Sequence, residues 1–441
     1  MLKLIKDLCS YSTSVVSDGN IKLFKRIKKE VPLKIKKIKS DTEYNGWIVP
    51  KKWEVVTAKI YRNGKLLYDA KNDILGVAYY SNSFTGTLNY TELKEKIVTN
   101  PELPNASMFH CEWQYRPWAA DFKLVIPYNI FKKFPRKGNF FIDLKTKKTK
   151  GEMLIGISEV KGKSNKVIVF NSNNCHPKMA NDGFAGTAVL IKLMQYLKKY
   201  NNFYTYRLVI APEHLGSVFY LNKISKKELS RIVCGIFEEM PGTNGKIRAT
   251  QTFNGEHQID KAFSNVLNNF YPSHSILSGW RKGAGNDETV WEAPGYEIPF
   301  VELTRCEDTF KPFKEYHSSL DNPDLMKIDK LEEILDVLKK TIFILENNFY
   351  IERKFNGILC LSNPKYDLYF ERPDPTINKN LKFNSELWGV LQDSLLRFFD
   401  GKTSILDIAQ NFNVSHADLL NYIKKFEAKK LVKLKRAEIS R

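Results

Sequence analysis

The sequence predicts an α/β fold with a mixed, mostly parallel sheet, an inserted β-rich domain and a C-terminal domain with helices. Between residues 136 and 346, short apolar runs alternate with helical segments, which is the pattern of a sheet covered by helices on both faces. Residues 48–135 instead show short alternating strands, aromatic residues and several Asn, Gly and Pro turns. A third pattern, with helical apolar stripes toward its end, begins after residue 348. We therefore expect a main domain at 1–47 and 136–348, an insertion at 48–135 and a C-terminal domain at 349–441.

The main sheet is predicted from apolar runs that alternate with helices. Its strands are KVIVF (166–170), YRLVIAP (206–212), RIVCGIFEEM (231–240) and IPFVELT (298–304), and its helices lie near 185–199, 260–270 and 327–346. Two earlier runs, FFIDL (140–144) and MLIGISEV (153–160), flank a basic turn. We expect these two runs to form a hairpin that starts the sheet.

The insertion is expected to act as a lid on the main domain. In this interpretation the N-terminal helices, at about 1–45, return to pack on the main sheet, so that residues 48–135 project from it. The tryptophans expected to close one side of a pocket are Trp47, Trp53, Trp113 and Trp118.

The C-terminal domain is predicted to contain two helices, a turn and a short wing. Ile405, Ile408 and Ala409 form one apolar stripe, Leu419, Leu420 and Ile423 form the next, and Asn411 and Asn413 mark the turn between them. This winged-helix pattern suggests DNA binding as one hypothesis. Acidic residues on the second helix, such as Asp418 and Glu427, fit a phosphate-contacting surface poorly. We favour a packing or dimerisation role, and in the second case the protein would be a homo-oligomer through this domain.

Composition indicates a globular protein with no membrane span. Of the 441 residues, 43% are hydrophobic, and no uninterrupted apolar stretch is long enough to cross a bilayer. Residues 1–14 predict an amphipathic helix, because Lys3, Lys6 and Asp7 interrupt the apolar core that a secretion signal needs. The six cysteines are scattered without paired spacing, so we expect no disulfide scaffold and a cytoplasmic location.

The net charge of +20 raises the question of an anionic partner. Lysine is spread along nearly the whole chain, which indicates a compositional bias rather than one binding surface. We therefore do not expect nucleic acid to be the main partner.

Candidate functional residues follow the carboxyl ends of four predicted strands. In open α/β sheets this edge is where ligands bind. Three imidazoles and several carboxylates are therefore brought toward one crevice, and they are His176, Asp182, Glu213, His214, Glu238, Glu239 and His317.

Such a set of nitrogen and oxygen donors suits zinc or a similar divalent ion, present as one ion or as two that share a carboxylate. Bound zinc polarises a carbonyl and lowers the pKa of water. A carboxylate outside the ligand set can then accept the water proton and pass it to the leaving amine. Glu213 is the candidate base, because it stands directly beside His214 and only one of two adjacent loop residues need face the metal.

Four segments in order along the chain resemble motifs of the co-catalytic zinc aminopeptidases, a family that includes glutamate carboxypeptidase-like enzymes. They are NCHPKMANDGFAGTAVLIKLMQYL (174–197), PEHLGSVFYL (212–221), FEEMPG (237–242) and EYHSSLDNPD (315–324). Nearly the full chain resembles a bacterial subgroup of aminopeptidase-like proteins, some of them associated with polysaccharide biosynthesis. The shared features include a WxxPxxW segment, here residues 47–53, and a C-terminal winged helix.

The resemblance implies a bridging Asp182, with His176 and Glu239 completing one metal and His214 and His317 completing the other. It also implies that Glu213 is the general base. This sequence departs from the family at three points. His214 stands where the family has a glutamate, and Glu239 stands where it has an aspartate. His176 lies only six residues before Asp182, which is much closer than in typical members of the family. One ion held by His176, Asp182 and His317 is therefore the alternative to two.

Two further residues have expected supporting roles. Asp287 resembles an aspartate of the family that orients a histidine ligand through a hydrogen bond. Glu238 is expected to receive the free amino group of a substrate.

These observations favour a zinc-dependent aminopeptidase that cleaves an N-terminal residue from a peptide. A metal-dependent amidase or deacylase acting on a sugar-linked amide would use the same chemistry. A nucleic-acid-binding regulator with an inactive hydrolase fold is the alternative from another functional class.

Overall fold

The computed structural model describes residues 1–110, 112–119, 121–306, 312–370 and 385–441. These residues form two compact units, of which unit 1 comprises Met1–Phe253 and Ser278–Leu335 and unit 2 comprises Asn254–Leu277 and Asp336–Arg441. Within the described ranges, no helix has the length and apolar character needed to span a bilayer. The division into a catalytic domain, a lid and a winged helix remains a prediction.

The strands vary in length from two residues to eleven. In chain order they are β1 Lys34–Lys39, β2 Glu43–Tyr44, β3 Trp47–Ile48, β4 Lys52–Arg62, β5 Lys65–Asp69, β6 Phe84–Asn89, β7 Ile97–Val98, β8 Leu124–Val125, β9 Asn139–Thr149, β10 Glu152–Val160, β11 Val167–Asn173, β12 Thr205–Ala211, β13 Ile232–Glu238, β14 Ile247–Thr250, β15 Ser275–Ser278, β16 Phe300–Arg305, β17 Phe349–Arg353, β18 Asp400–Ser404 and β19 Val432–Arg436.

The α-helices vary from a single turn to nineteen residues. In chain order they are α1 Leu2–Cys9, α2 Asp18–Ile27, α3 Tyr90–Glu95, α4 Glu112–Tyr115, α5 Tyr128–Phe131, α6 Gly186–Leu197, α7 Leu215–Lys223, α8 Lys226–Leu229, α9 Gln258–Phe270, α10 Glu288–Trp291, α11 Ile328–Glu346, α12 Ser385–Leu395, α13 Ile405–Asn411 and α14 His416–Ala428.

The main sheet of unit 1 has the strand order β1-β10-β12-β11-β13-β16-β14. Its central strands β12, β11, β13 and β16 are parallel, whereas β1, β10 and β14 pair antiparallel at the flanks. Every residue of these four parallel strands is buried, as expected when helices cover both faces of a sheet. The fold is therefore the predicted mixed α/β fold, and the candidate residues follow the central strands.

The predicted hairpin at 140–160 is wrong. Strand β9 pairs with β4 and β6, whereas β10 pairs with β1 and β12. The two strands therefore belong to different sheets, and Gly151 lies in the short connection between them. Adjacency in sequence favours pairing, but the apolar faces of these two strands are buried in different cores.

Strand β9 belongs to a second sheet of unit 1, with the order β5-β4-β9-β6. Its core contains Ile60, Phe140 and Ile142, which are fully buried. The indole of Trp53 donates a hydrogen bond to the Ser81 carbonyl, at 2.8 Å. Trp113 is buried and Trp118 is 63% exposed. The function of this region as a lid remains a prediction.

The N-terminal segment forms the amphipathic helix α1 that the sequence predicts. Leu4, Ile5 and Leu8 are buried on one face of it. Ser17 caps the next helix, α2, by accepting a hydrogen bond from the amide of Asn20 at 3.3 Å.

Unit 2 contains a sheet of order β18-β17-β19 and its own apolar core. Helix α13 ends at Asn411, Asn413 has a φ of +49°, and α14 begins at His416. The predicted pair of helices and the turn between them are therefore present. The assignment of this unit as a winged helix remains a prediction.

Candidate metal centre

Three of the predicted ligands lie together at the carboxyl edge of the main sheet. Potential ligand atoms of His176, Asp182 and His317 lie within 4.8 Å of one another. His176 and Asp182 are buried, whereas 30% of the His317 side chain is exposed. The group is therefore open to solvent on the side of His317.

Both imidazoles face the same carboxylate oxygen. Oδ2 of Asp182 lies 3.1 Å from Nε2 of His176 and 3.4 Å from Nε2 of His317. Burial opposes the charged form of His176, but its hydrogen bond to Asp182 and the charge of that carboxylate raise the pKa of the imidazole above its ordinary value. Burial lowers the pKa of His317, despite the opposing effect of Asp182. A cation at this position would satisfy all three groups.

Hydrogen bonding fixes the tautomer of His176 when the ring is neutral. Nδ1 lies 2.9 Å from the carbonyl oxygen of Pro177, which can only accept, so Nδ1 carries the hydrogen. The unprotonated Nε2 then faces Asp182. Metal-ligating histidines typically have this arrangement, in which one nitrogen donates to a backbone oxygen and the other binds the metal.

The turn that carries Asp182 is held from two sides. The carboxylate of Asp321 accepts the backbone N–H of Asn181 at 2.8 Å and that of Asp182 at 3.1 Å. The side-chain oxygen of Asn181 accepts the N–H of Gly242, just beyond β13, at 2.7 Å. Burial and the charge of Asp182 raise the pKa of Asp321 to about 8. Asp321 therefore positions a predicted ligand without belonging to the ligand group.

A segment of the insertion pairs with the loop that carries His317. Phe109 donates its backbone N–H to the carbonyl of His317 at 2.7 Å, and Ser319 donates to the carbonyl of Ser107 at 2.8 Å. Between them, Met108 and Ser318 form an antiparallel bridge. The ring of Phe109 also stacks on the ring of His176, with centroids 4.0 Å apart and an interplanar angle of 18°.

Glu213 and His214 form a sharp turn directly after β12. His214 has φ +50° and ψ −63°, and the N–H of Leu215 donates to the carbonyl of Glu213 at 2.6 Å. This is a γ-turn of the rare positive-φ type, which is strained for a residue with a side chain. A turn this tight places Glu213 at the end of the strand immediately before helix α7 begins.

The Glu213 carboxylate is half-buried beside the three clustered residues. Its Oε2 accepts the hydroxyl of Tyr115 at 3.2 Å and lies 3.9 Å from the thiol sulfur of Cys175. The negative charge of Glu213 acts on both His176 and His317. No hydrogen bond to Oε1 is present among the described residues, so this oxygen is available to a ligand.

His214 is not part of the group formed by His176, Asp182 and His317. Its ring lies 6.1 Å from that of Trp47, and its buried Nδ1 makes no hydrogen bond to a described residue. The backbone N–H of His214 donates to Asp287 Oδ2 at 3.2 Å. Burial raises the pKa of the Asp287 carboxyl to about 6, an effect that His214 partly offsets. Asp287 thus contacts the backbone of the γ-turn.

Glu238 is the last residue of β13 and Glu239 follows it, but the two carboxylates have different surroundings. Glu239 accepts a hydrogen bond from the Asn286 side-chain amide at 3.0 Å. Burial raises the pKa of Glu239 well above its ordinary value, and the charges of nearby carboxylates, including Glu302 and Asp182, raise it further. Glu238 is fully buried, and neither of its carboxyl oxygens has a hydrogen-bond partner in the described part of the chain. Both proposed roles, as ligand and as amine receptor, remain predictions.

Sequence reasoning missed three residues that support the site. Asp321 is the last residue of the Tyr-His-x-x-x-Asp motif in EYHSSLDNPD, so a signal for it was available. Tyr115 and Phe109 lie in the insertion, where no motif marks them.

Comparison with known proteins agrees with this architecture. A protein of Clostridium acetobutylicum named for polysaccharide biosynthesis and an aminopeptidase-like domain is 27% identical over 415 residues, covering 92% of this chain and 89% of that protein. A crystal structure from the same organism, provisionally assigned as a peptidase, has a TM-score of 0.80 at 24% identity and covers 98% of this chain and 96% of that one. The zinc aminopeptidase of Bacillus subtilis has a TM-score of 0.60 at 15% identity over 78% of this chain and 93% of the other. The fold is therefore that of the zinc aminopeptidases.

Residues 2–348 match the family model described as a domain of unknown function, DUF4910. That range includes every residue of the candidate metal centre. Because the match covers most of the sequence, the chain belongs to the DUF4910 family.

Proposed function

We propose that the chain is a zinc-dependent hydrolase that releases the N-terminal residue of a peptide. The observation that carries this proposal is the convergence of two imidazole Nε2 atoms on Asp182 Oδ2, with the Glu213 carboxylate nearby. The order of these residues along an aminopeptidase-like fold supports the same function.

The residues present fit zinc. Two imidazoles and one carboxylate are a ligand set found in catalytic zinc sites, where a fourth position stays open. The tautomer of His176 is fixed with Nε2 toward the other two ligands, and the exposed side of His317 gives access to a substrate. When bound, zinc would polarise the scissile carbonyl and make water a stronger acid.

Glu213 would move the proton in this reaction. Its Oε2 is engaged by Tyr115, so Oε1 would accept a proton from the attacking water. The same oxygen would then donate that proton to the leaving amine. The γ-turn at His214 supports this role, because it fixes the position of Glu213 at the end of β12.

We further propose that one ion is sufficient, held by His176, Asp182 and His317. His214 and Glu239 lie outside that group and would be needed only if a second ion binds.

Metal analysis of three variants tests the site. Wild-type protein dialysed against zinc is expected to retain one equivalent, His214→Ala is expected to retain it, and His317→Ala is expected to lose it. Glu213→Gln should retain zinc but lose about 10²- to 10⁴-fold in kcat, as expected for removal of a general base. Wild-type activity in Glu213→Gln, or full zinc content in His317→Ala, would contradict the proposal.

A sugar-linked amide is the second candidate substrate, because the Clostridium relative is named for polysaccharide biosynthesis. A panel of aminoacyl p-nitroanilides and N-acylated amino sugars distinguishes the two. Release of p-nitroaniline that requires a free amino group would support the aminopeptidase, whereas deacylation of the sugars alone would support the amidase.

A further inference from the structure

We propose that Tyr115, a residue of the insertion, is a positioning residue for the base Glu213. The inference rests on the proposed function of Glu213 and assigns this part of the insertion to the active site. Its basis is the 3.2 Å hydrogen bond from the Tyr115 hydroxyl to Glu213 Oε2.

The segment that leads to Tyr115 is anchored on the metal centre. Residues 107–109 pair with residues 317–319 through backbone hydrogen bonds, including the 2.7 Å bond from Phe109 to His317. Phe109 stacks on His176 as well. Helix α4, which ends at Tyr115, follows three residues after Phe109. One short stretch of the insertion therefore contacts two predicted ligands and the predicted base.

The hydrogen bond restricts the orientation of the Glu213 carboxylate. A glutamate side chain on a half-exposed turn has several rotamers, and a donor that engages Oε2 favours those that leave Oε1 directed away from Tyr115. Tyr115 is itself partly buried and packs against the main core of unit 1, so its hydroxyl is held in place. The Cys175 thiol, 3.9 Å from the same oxygen, is the weaker of the two donors.

A positioning role and a substrate-binding role predict different effects on kcat and KM. A residue that orients the base affects the chemical step and leaves substrate affinity largely unchanged. Removing the Tyr115 hydroxyl should therefore lower kcat. The same change should have no further effect on kcat when Glu213 no longer carries a carboxylate.

The test uses full-length, zinc-loaded protein and the variants Tyr115→Phe, Glu213→Gln and the double variant. With the best p-nitroanilide substrate, Tyr115→Phe should lower kcat about tenfold with KM within about twofold, as expected for loss of one hydrogen bond to a charged group. Zinc content should not change. In the Glu213→Gln background, Tyr115→Phe should have no further effect on kcat.

A binding measurement provides a readout that does not need turnover. Leucine hydroxamate can donate a proton to Glu213 while it chelates the metal, so its binding depends on the orientation of the Glu213 carboxylate. Its affinity for Tyr115→Phe should therefore be lower than for wild type, by up to about tenfold. Its affinity should be equal in Glu213→Gln and in the double variant. Tyr271→Phe is the matched control, because that hydroxyl donates to the Asp336 carboxylate at 2.5 Å in unit 2.

The possible failures are distinct. If Glu213→Gln is as active as wild type, the proposed base is wrong. If Glu213→Gln is inactive but Tyr115→Phe matches Tyr271→Phe in kcat and hydroxamate affinity, the positioning role is wrong. A raised KM with unchanged kcat, or an equal loss in both Glu213 backgrounds, would also overturn it.

Discussion

At the scale of single residues, strained backbone is found at the candidate metal centre. His317 and His214 have φ values of +51° and +50°, and Met240, next to Glu239, has +54°. Residues other than glycine rarely adopt a positive φ, and strained residues persist where the surrounding structure holds them in place. Here hydrogen bonds supply that restraint, from Phe109 to His317 and from His214 to Asp287.

The γ-turn at His214 permits a direct measurement of this strain. Replacing His214 with Ala or with Gly removes the same ring, but only Gly adopts a positive φ without steric cost. We expect His214→Gly to be more stable than His214→Ala by about 1–2 kcal/mol, measured by urea unfolding. Equal stability of the two variants, or greater stability of the alanine variant, would show that the turn is relaxed in the folded protein.

Strand ends and motif order predicted seven candidate residues at one edge of the sheet, and three of them have potential ligand atoms within 4.8 Å of one another. His176, Asp182 and His317 were predicted as a group, and the structure brings them together. Tyr115 and Phe109 could not be predicted, because their contacts depend on how a distant segment folds onto the loop at 317–319. No periodicity within the insertion carries that information.

At the scale of elements, buried strands were predicted more reliably than their pairing partners. Each of the strands β11, β12, β13 and β16 contains a run of apolar residues, and all of their residues are buried. Strand β9 has an alternating pattern that identifies a strand but does not specify its neighbour. Its pairing with β4 joins segments far apart in sequence, and this is why the predicted hairpin was wrong.

Helix α14 begins at a buried histidine, His416, which we expect to make the packing of this helix sensitive to acid. His416 is fully buried, and neither ring nitrogen has a hydrogen-bond partner among residues that the structure describes. Its backbone N–H donates to Asn265 on α9 at 3.0 Å. Burial lowers the pKa of the imidazole to about 3. The folded state therefore excludes a proton that the unfolded state, with a pKa of about 6.5, readily binds.

The sign of the resulting pH dependence follows from linkage. Between about pH 6.5 and pH 3 the unfolded chain binds more protons at His416, so the contribution of this residue to stability is lost as pH falls. We expect the free energy of opening of α14, measured by hydrogen exchange, to fall by about 2 kcal/mol from pH 7 to pH 5 through this group.

Two histidine variants test this assignment. His416→Leu should lack the fall in opening free energy between pH 7 and pH 5, whereas a variant of the exposed His274, His274→Leu, should keep it. An unchanged pH dependence in His416→Leu would contradict the assignment.

At the scale of the whole molecule, each of the two units contains an apolar core. One core of unit 1 contains Val169, Phe237 and Phe300, and the core of unit 2 contains Ile351, Leu420 and Phe426. The proposed zinc ligands all belong to unit 1. The net charge of +20 does not identify a partner by itself, because like charges spread over a surface serve mainly solubility.

This arrangement predicts that zinc stabilises one unit selectively. A ligand that binds only the folded state adds RT ln(1 + [L]/Kd) to the free energy of opening, or about 2.7 kcal/mol at a hundred times Kd. Zinc added to metal-free protein should therefore slow exchange of the most protected amides in β11 and β12 by up to about a hundredfold. Peptides from α13 and α14 should be unchanged, and His317→Ala should abolish the effect in unit 1. Equal slowing in both units would show instead that the molecule opens as one cooperative body, and no slowing in the wild type would exclude the site.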